Sequence, residues 1–316
     1  MSIGKTSKES VMVSVVIPTM NEEENVGLIY EKLKPILLGY DDHEIIYIDD
    51  GSTDNTLARI KHLNREDNKV RYLSLSRNFG HQNALKAGLD FACGDCVISM
   101  DGDLQHPPEL IPEMIAKWKE GYEVVYTLRH VGSETSFFKK LSASLFYKLI
   151  NRWADVAIEQ GSADFRLLDR KIVDIIRELK EIHLFFRGLV PWMGFNQIGI
   201  TYVSTERQWG TTKYSFRKMI QFALAGITGF SIKPLTFAIT LGFVLAIFAF
   251  IYGVYALYIR LFTDTSIEGW ASLLIVTALI GGIQLITIGI LGEYLGKLFM
   301  EQKQRPNYII KEKSED

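Results

Sequence analysis

Two stretches of this chain carry no charged residue. Positions 234–259 and 269–292 contain no Asp, Glu, Lys or Arg over 26 and 24 residues, and a helix of about 20 apolar residues is long enough to cross a hydrocarbon core. Of 35 basic and 37 acidic residues, only Arg260, Asp264 and Glu268 fall between Pro234 and Gly292. Core helices of soluble domains are rarely apolar all round for so long. The pattern therefore predicts two transmembrane helices, about 234–259 and 269–294, forming a C-terminal hairpin within 234–296. Gly242, Gly253, Gly281, Gly282, Gly289 and Gly292 either let helices approach closely in lipid or face it.

The flanks orient the hairpin. Arg207, Lys213, Arg217, Lys218 and Lys233 precede it and Lys297, Lys303, Arg305, Lys311 and Lys313 follow it, whereas the loop between the spans holds one Arg and two acids. An excess of basic residues marks the cytoplasmic side. Both termini are expected there, on a multi-pass protein of the inner (plasma) membrane. Residues 213–233 read as an amphipathic helix lying in the interface, and 297–316 as a cytoplasmic tail. The N-terminal 25 residues lack the h-region and cleavage site of a signal peptide, and two cysteines build no disulfide framework. A net charge of −2 supplies no basic field for nucleic acid.

Residues 1–212 are expected to form the cytosolic part. Apolar runs at 12–17, 44–48, 70–75, 97–100 and 123–127 read as strands. Helical patterns at 22–37 (after Asn21 as N-cap), 54–64, 81–91 and 108–119 lie between them. This alternation predicts an α/β fold with a mostly parallel sheet covered on both faces, its ligands bound beyond the carboxyl ends of the strands. Those ends carry PTMNEEE, DDGSTD and MDGDLQHPP, which gather Asp49, Asp50, Asp101 and Asp103 on one rim. The paired carboxylates of Asp101-Gly102-Asp103 suit a hard divalent ion such as Mg²⁺ or Mn²⁺ on a diphosphate; alone, DGD is a common turn sequence. There is no P-loop and no dinucleotide fingerprint.

VVIPTMNEEENV, YIDDGSTDNT, LSRNFGHQNALKAGL and MDGDLQHPPELIP, in that order, resemble a family 2 glycosyltransferase of the GT-A fold, within the polyprenyl-phosphate hexose transferases related to dolichol-phosphate mannose synthase. The two C-terminal spans resemble its bactoprenol glucosyltransferase branch. The resemblance implies a Rossmann-like catalytic domain that moves glucose from UDP-glucose to undecaprenyl phosphate at the cytoplasmic leaflet. It implies a nucleoside pocket of Pro18, Met20, Glu22 and Asp50, with Asp50 accepting from the base. Asp101, Gly102, Asp103 and Gln105 would meet metal and diphosphate. Asn78 and His81 belong either to that site or to a helix start. GSADFRLLDR resembles the acceptor-side motif and places Asp164 as the catalytic carboxylate, either a base or a positioning group; the alternative is an acid paired with Arg166 or Arg170. Arg207 and Lys213 match the loop that closes over the diphosphate, and Arg129, Lys139 and Ser142 would meet the lipid phosphate.

The implied reaction is a single inverting displacement. A GDP-mannose-dependent mannose synthase is the nearest alternative, and an inactive membrane-anchored nucleotide-sugar sensor is the alternative from another class. A processive synthase is disfavoured, since the only Arg-Trp pair, Arg152-Trp153, has Leu149 where its Gln-x-x-Arg-Trp motif needs Gln. Cys93 and Cys96 have redox-motif spacing, but their place before a buried strand argues against thiol chemistry. A lone hairpin has few helix partners, so a homo-oligomer is expected.

Overall fold

The computed structural model describes residues 11–130, 153, 159, 161–182, 184–203, 228–262 and 269–315. The chain divides into two compact units, 1–149 with 156–216 and 305–316, and 150–155 with 217–304.

The first unit is built on one eight-stranded sheet. Its strands are β1 (Met12–Thr19), β2 (Asp42–Asp49), β3 (Val70–Leu75), β4 (Cys96–Ser99), β5 (Val124–His130), β6 (Ser162–Asp169), β7 (Gln197–Val203) and β8 (Ile310–Lys313), ordered β7-β5-β6-β4-β1-β2-β3-β8. The expected alternation is present. β1 pairs in parallel with β2 and β4, β2 with β3, and β5 with β7. β6 is inserted antiparallel between β4 and β5, so the sheet is mixed on that side.

Helices α1 (Asn25–Leu37), α2 (Thr56–Glu66), α3 (His81–Phe91), α4 (Ile111–Lys119), α5 (Arg170–Glu178) and α6 (Phe186–Trp192) complete the unit. Successive β1 side chains point to opposite faces. Val13, Val15 and Ile17 join the core cluster that holds Ile29 and Leu33 of α1, Ile60 of α2 and Met114 of α4. On the other face Gly88 of α3 lies so close to the sheet that a Cβ there would stand 2.3 Å from Val16 and 2.6 Å from Ile48. α1 begins at Asn25 rather than at the expected Asn21 cap; Asn21 instead takes a left-handed φ of 56° and turns its side chain to the neighbouring loop.

The segment after the second long helix is no loose tail. Residues 310–313 form β8 along the free edge of β3. Ser314 donates its N–H to the Tyr72 carbonyl at 3.0 Å and Ser76 donates to the Ile309 carbonyl at 2.9 Å. Tyr308 reaches Asp90 at 2.9 Å, Asn307 the Glu181 carbonyl at 2.9 Å, and Lys61 pairs with Glu312 at 2.7 Å. An exposed strand edge invites foreign strands, and this chain covers its own.

The second unit contains α7 (Lys233–Phe262) and α8 (Trp270–Gln302). Both are long and apolar enough to cross a membrane. Their apolar side chains are exposed rather than packed in a protein core, as at Phe250 (74%) and Leu285 (72%), and a Cβ at any of the six glycines singled out above would meet nothing within 4 Å. Thr240 and Thr287 return their hydroxyls to the carbonyls of Thr236 and Ile283, both at 2.9 Å, which removes polar groups from an apolar surrounding. Tyr294 donates to the Ser231 carbonyl at 2.6 Å. The expected interfacial helix falls almost wholly outside the described residues.

Candidate active site

The carboxyl ends of β1, β2 and β4 open into a cavity of about 640 Å³. Pro18, Met20, Glu22, Asp50, Asp101, Gly102, Asp103, Gln105, Arg129 and Asp164 all line it, as do Asn78 and His81. Every sequence-predicted site residue that is described therefore reaches one space. Arg207, Lys213, Lys139 and Ser142 lie outside the described residues.

Two loops sewn together make the wall at β1 and β2. Asn21 Oδ1 accepts the Thr53 N–H at 2.8 Å, the Asn21 N–H donates to Ser52 Oγ at 3.0 Å, and the Glu22 N–H donates to Thr56 Oγ1 at 2.8 Å. Asp49 does not join the acidic rim. It is 1% exposed and accepts from Ser74 Oγ and the Ser52 N–H. Asp50 does line the cavity, but it already has partners: its two oxygens accept the N–H groups of Phe79 at 2.7 Å and Gly80 at 3.0 Å. Burial pushes its carboxyl up despite these bonds. Asp50 thus anchors the loop that carries Asn78. That loop also needs Gly51, whose φ is +71° and whose added Cβ would stand 2.6 Å from the Arg77 carbonyl carbon.

The turn after β4 presents the paired acids. Asp101 donates its N–H to His106 Nδ1 at 3.0 Å, and the His106 ring is buried and stacked on Phe165 at 5.2 Å. Leu104 adopts φ +60° and Asp103 accepts the Gln105 N–H at 3.1 Å, closing the turn. A Cβ on Gly102 would lie 3.0 Å from Thr19 Cγ2 and 3.1 Å from the Pro18 carbonyl, so glycine brings Asp101 and Asp103 against the end of β1. Among the described residues no group of three or more His, Cys, Asp or Glu side chains is arranged to hold a metal. Two carboxylates at a cavity rim fit Mg²⁺ or Mn²⁺ when phosphate oxygens and water complete the shell.

Asp164 stands on β6 and is 5% exposed. Arg187 of α6 donates to both its oxygens, from Nε at 3.2 Å and Nη2 at 3.0 Å; Arg166 Nη2 is 3.3 Å from Oδ1 and His81 Nε2 is 3.7 Å from Oδ2. Burial alone would raise this carboxyl, but Arg187, His81 and Arg166 outweigh it and hold it well below the usual carboxylate range. Asp164 is therefore an ionised, clamped group and a weak base at neutral pH. The salt-bridge expectation holds for Arg166. Arg170 instead pairs with Asp174 at 3.7 Å. His81, the first residue of α3, faces the cavity 3.4 Å from Asp101 Oδ1. Burial lowers its affinity for a proton, yet Asp164 and Asp101 push its pKa up to about 8.

Arg187, His106 and Tyr202 line the same cavity; His106 stands in MDGDLQHPP without being singled out there, and Arg187 and Tyr202 lie outside the motifs. Arg187 follows Asp164 by 23 positions and meets it only because α6 packs across β6. Its one local mark is FRG, an arginine between buried Phe186 and Gly188. Cys93 is exposed and Cys96 buried, and burial pushes the Cys96 thiol up to about 12, so thiol chemistry has no reactive pair here.

Residues 14–176 match the model of the glycosyl transferase family 2 domain. A Bacillus subtilis (strain 168) protein described as the uncharacterized glycosyltransferase YkcC is 43% identical over 301 residues, covering 95% of this chain and 93% of that one. A prophage bactoprenol glucosyl transferase homolog of Escherichia coli (strain K12) is 41% identical over 301 residues, covering 95% and 98%. A solved mannosyl-3-phosphoglycerate synthase from Rubrobacter xylanophilus is 16% identical, covering 68% of this chain and 71% of that one, with a TM-score of 0.49. The chain belongs to glycosyl transferase family 2. It is a glycosyltransferase with a GT-A-like α/β catalytic unit.

Proposed function

We propose that this enzyme transfers a hexose, glucose from UDP-glucose, onto a polyprenyl phosphate such as undecaprenyl phosphate at the cytoplasmic leaflet. The observation that carries the reading is the single cavity joining the nucleoside-side residues, the paired acids Asp101 and Asp103, and clamped Asp164. Relatives that share about the whole chain are named for bactoprenol, which favours a lipid acceptor.

In this reading Pro18, Met20, Glu22 and Asp50 form the nucleoside end, with Gly102 leaving room for the donor. Asp101 and Asp103 would hold Mg²⁺ or Mn²⁺, which neutralises charge on the diphosphate as it leaves. Gln105, Arg207 and Lys213 add contacts to that diphosphate. Arg129, Lys139 and Ser142 serve the acceptor phosphate. An acceptor oxygen attacks the anomeric carbon, the bond to UDP breaks on the opposite face, and the configuration inverts. A phosphate monoester is already largely dianionic at neutral pH, its second pKa being about 6, so Asp164 aligns and balances charge rather than taking a proton. Residues 1–212 act as the catalytic domain and 213–233 as the interfacial helix. The spans at 234–259 and 269–294 cross twice and self-associate, leaving both ends cytoplasmic.

The test is transfer of radiolabel from UDP- and GDP-sugars to undecaprenyl phosphate by the purified full chain, with Mg²⁺, Mn²⁺ or EDTA, beside Asp103→Ala. A metal-dependent, organic-extractable product lost in the variant supports the reading. Labelling from GDP-mannose alone would replace the donor, and nucleotide-sugar binding with no lipid product would sink the acceptor.

A further inference from the structure

β4 hands the chain to a turn that closes on a histidine. Met100 still bonds to β1, donating its N–H to the Val16 carbonyl at 3.0 Å, whereas Asp101 has left the ladder and donates to His106 Nδ1 at 3.0 Å. The left-handed φ of +60° at Leu104 folds the turn back on itself between these two residues. Two prolines follow His106, and a residue before proline is held in extended backbone. The ring is fixed as well. It stacks on Phe165 of β6 at 5.2 Å and 16° and meets Tyr202 of β7 edge-on at 6.3 Å, and its side chain is only 6% exposed.

A ring nitrogen that accepts an N–H carries no proton, so the proton of the His106 ring sits on Nε2. Nε2 stands 3.6 Å from Oδ2 of the same Asp101. One buried imidazole therefore addresses Asp101 twice, at the backbone and at the carboxylate. The other carboxylate oxygen, Oδ1, faces His81 Nε2 at 3.4 Å. His81 divides its contacts between Asp101 and Asp164, whereas among the described residues the nitrogens of His106 meet Asp101 alone. The Asp101 side chain keeps 32% of its surface exposed, so it is oriented without being covered. A group behind a metal-binding side chain sets its direction, and losing such a support typically lowers metal affinity about 10–100-fold.

We propose that His106 is the positioning residue of Asp101: Nδ1 fixes the backbone where the chain leaves β4, and Nε2–H sets the aim of the carboxylate toward the divalent ion of the donor diphosphate. The proposal rests on the metal reading of Asp101 and Asp103 above and adds to it a residue that acts through another. It also distinguishes the two acids. Asp103 accepts the Gln105 N–H within the turn at 3.1 Å, whereas Asp101 is tied through the His106 ring to the sheet. Phe165, on which that ring stacks, is the neighbour of Asp164 on β6. One strand thus carries both the support of Asp101 and the clamped carboxylate.

The experiment uses the full chain in nanodiscs, as wild type, His106→Phe, His106→Asn and His106→Gln. Mn²⁺ binding in the presence of UDP is read from free Mn²⁺ by electron paramagnetic resonance, and UDP affinity is measured separately in EDTA. Phe keeps a flat ring for Phe165 and removes both nitrogens. In His106→Phe the Mn²⁺ dissociation constant should rise about tenfold or more, with UDP affinity in EDTA within about twofold of the wild type. Asn offers an acceptor near the place of Nδ1, and Gln a donor near the place of Nε2, so each recovers part of the loss. Unchanged Mn²⁺ affinity in His106→Phe, or UDP affinity in EDTA that falls as far as Mn²⁺ affinity, overturns the proposal and leaves His106 as packing for the turn. Should His106→Phe show no melting transition, the other two variants decide, and wild-type Mn²⁺ affinity in both overturns it. A wild type that binds UDP and no Mn²⁺ fails the metal reading and the proposal together. That outcome is distinct from a Mn²⁺-binding wild type matched by all three variants, which fails the proposal alone.

Discussion

Arg187 donates to both oxygens of Asp164, from Nε at 3.2 Å and from Nη2 at 3.0 Å. The pair joins α6 to β6 in the wall of the cavity. It also makes the Asp164 carboxylate part of the architecture, with consequences for stability that are separate from those for transfer.

Asp164→Ala takes from Arg166, 2% exposed, the carboxylate it pairs with at 3.3 Å, leaving it the carbonyls of Phe186 and Ala163 and the more distant charge of Asp101. Breaking a buried pair in this way costs about 3–5 kcal/mol, and chemical unfolding of the solubilised chain should show a loss of that order. Arg187→Ala should cost less, about 1 kcal/mol, because its side chain is partly solvated. Since the Asp164 carboxyl is held below its ordinary value, its contribution is complete above the unfolded value of about 3.9 and disappears as pH falls toward the folded one. The stability difference between wild type and Asp164→Ala should therefore shrink in acid, and it should also decline as pH rises through about 8, where His81 gives up the proton that Asp164 helps it hold.

Gly51→Ala forces a side chain onto a left-handed backbone and sets its Cβ 2.6 Å from the backbone at Arg77. Such strain costs about 1–3 kcal/mol. The loop held by Asp50 must shift, so donor binding should weaken together with stability. Calorimetric titration with UDP beside a melting curve measures both, and unchanged UDP affinity would separate this loop from the nucleotide.

Tyr308→Phe removes the hydroxyl that reaches Asp90 at 2.9 Å. One such bond is worth about 1 kcal/mol, and in a unit of this size that lowers the melting temperature by about 2–4 °C. A stop codon after Gln304 removes β8 as well, exposing the β3 edge. Light scattering should then report aggregation, whereas the single substitution leaves the protein dispersed.

Cys93 should react with iodoacetamide in the native chain and Cys96 only after unfolding. The exposed position of Cys93 and the raised pKa of buried Cys96 predict this order. Mass spectrometry of peptides from native and denatured samples reads it directly, and native labelling at Cys96 would contradict its burial.

Strands β1 to β5 are legible in the sequence because each is an apolar run closed by turn residues and followed by a helical period. β6 hides for a physical reason: it buries Asp164 and Arg166 against one another, so its polar residues mimic a loop. β8 reads Ile-Lys-Glu-Lys and is mostly exposed; its pairing comes from backbone bonds, which no side-chain pattern announces. Within the site, Asp101, Asp103 and Asp164 stand in motifs and can be read one by one. The Arg187 clamp depends on how α6 crosses β6, and Asp49 and Asp50, adjacent in sequence, part because their side chains leave opposite faces of the strand end.

The late position of β8 sets an order of synthesis. The ribosome completes α7 and α8 before it makes the strand that closes the sheet, so β3 waits with an open edge while the two long helices find their surroundings. The sheet of the first unit is thus complete only once the whole chain, both long helices included, has been made.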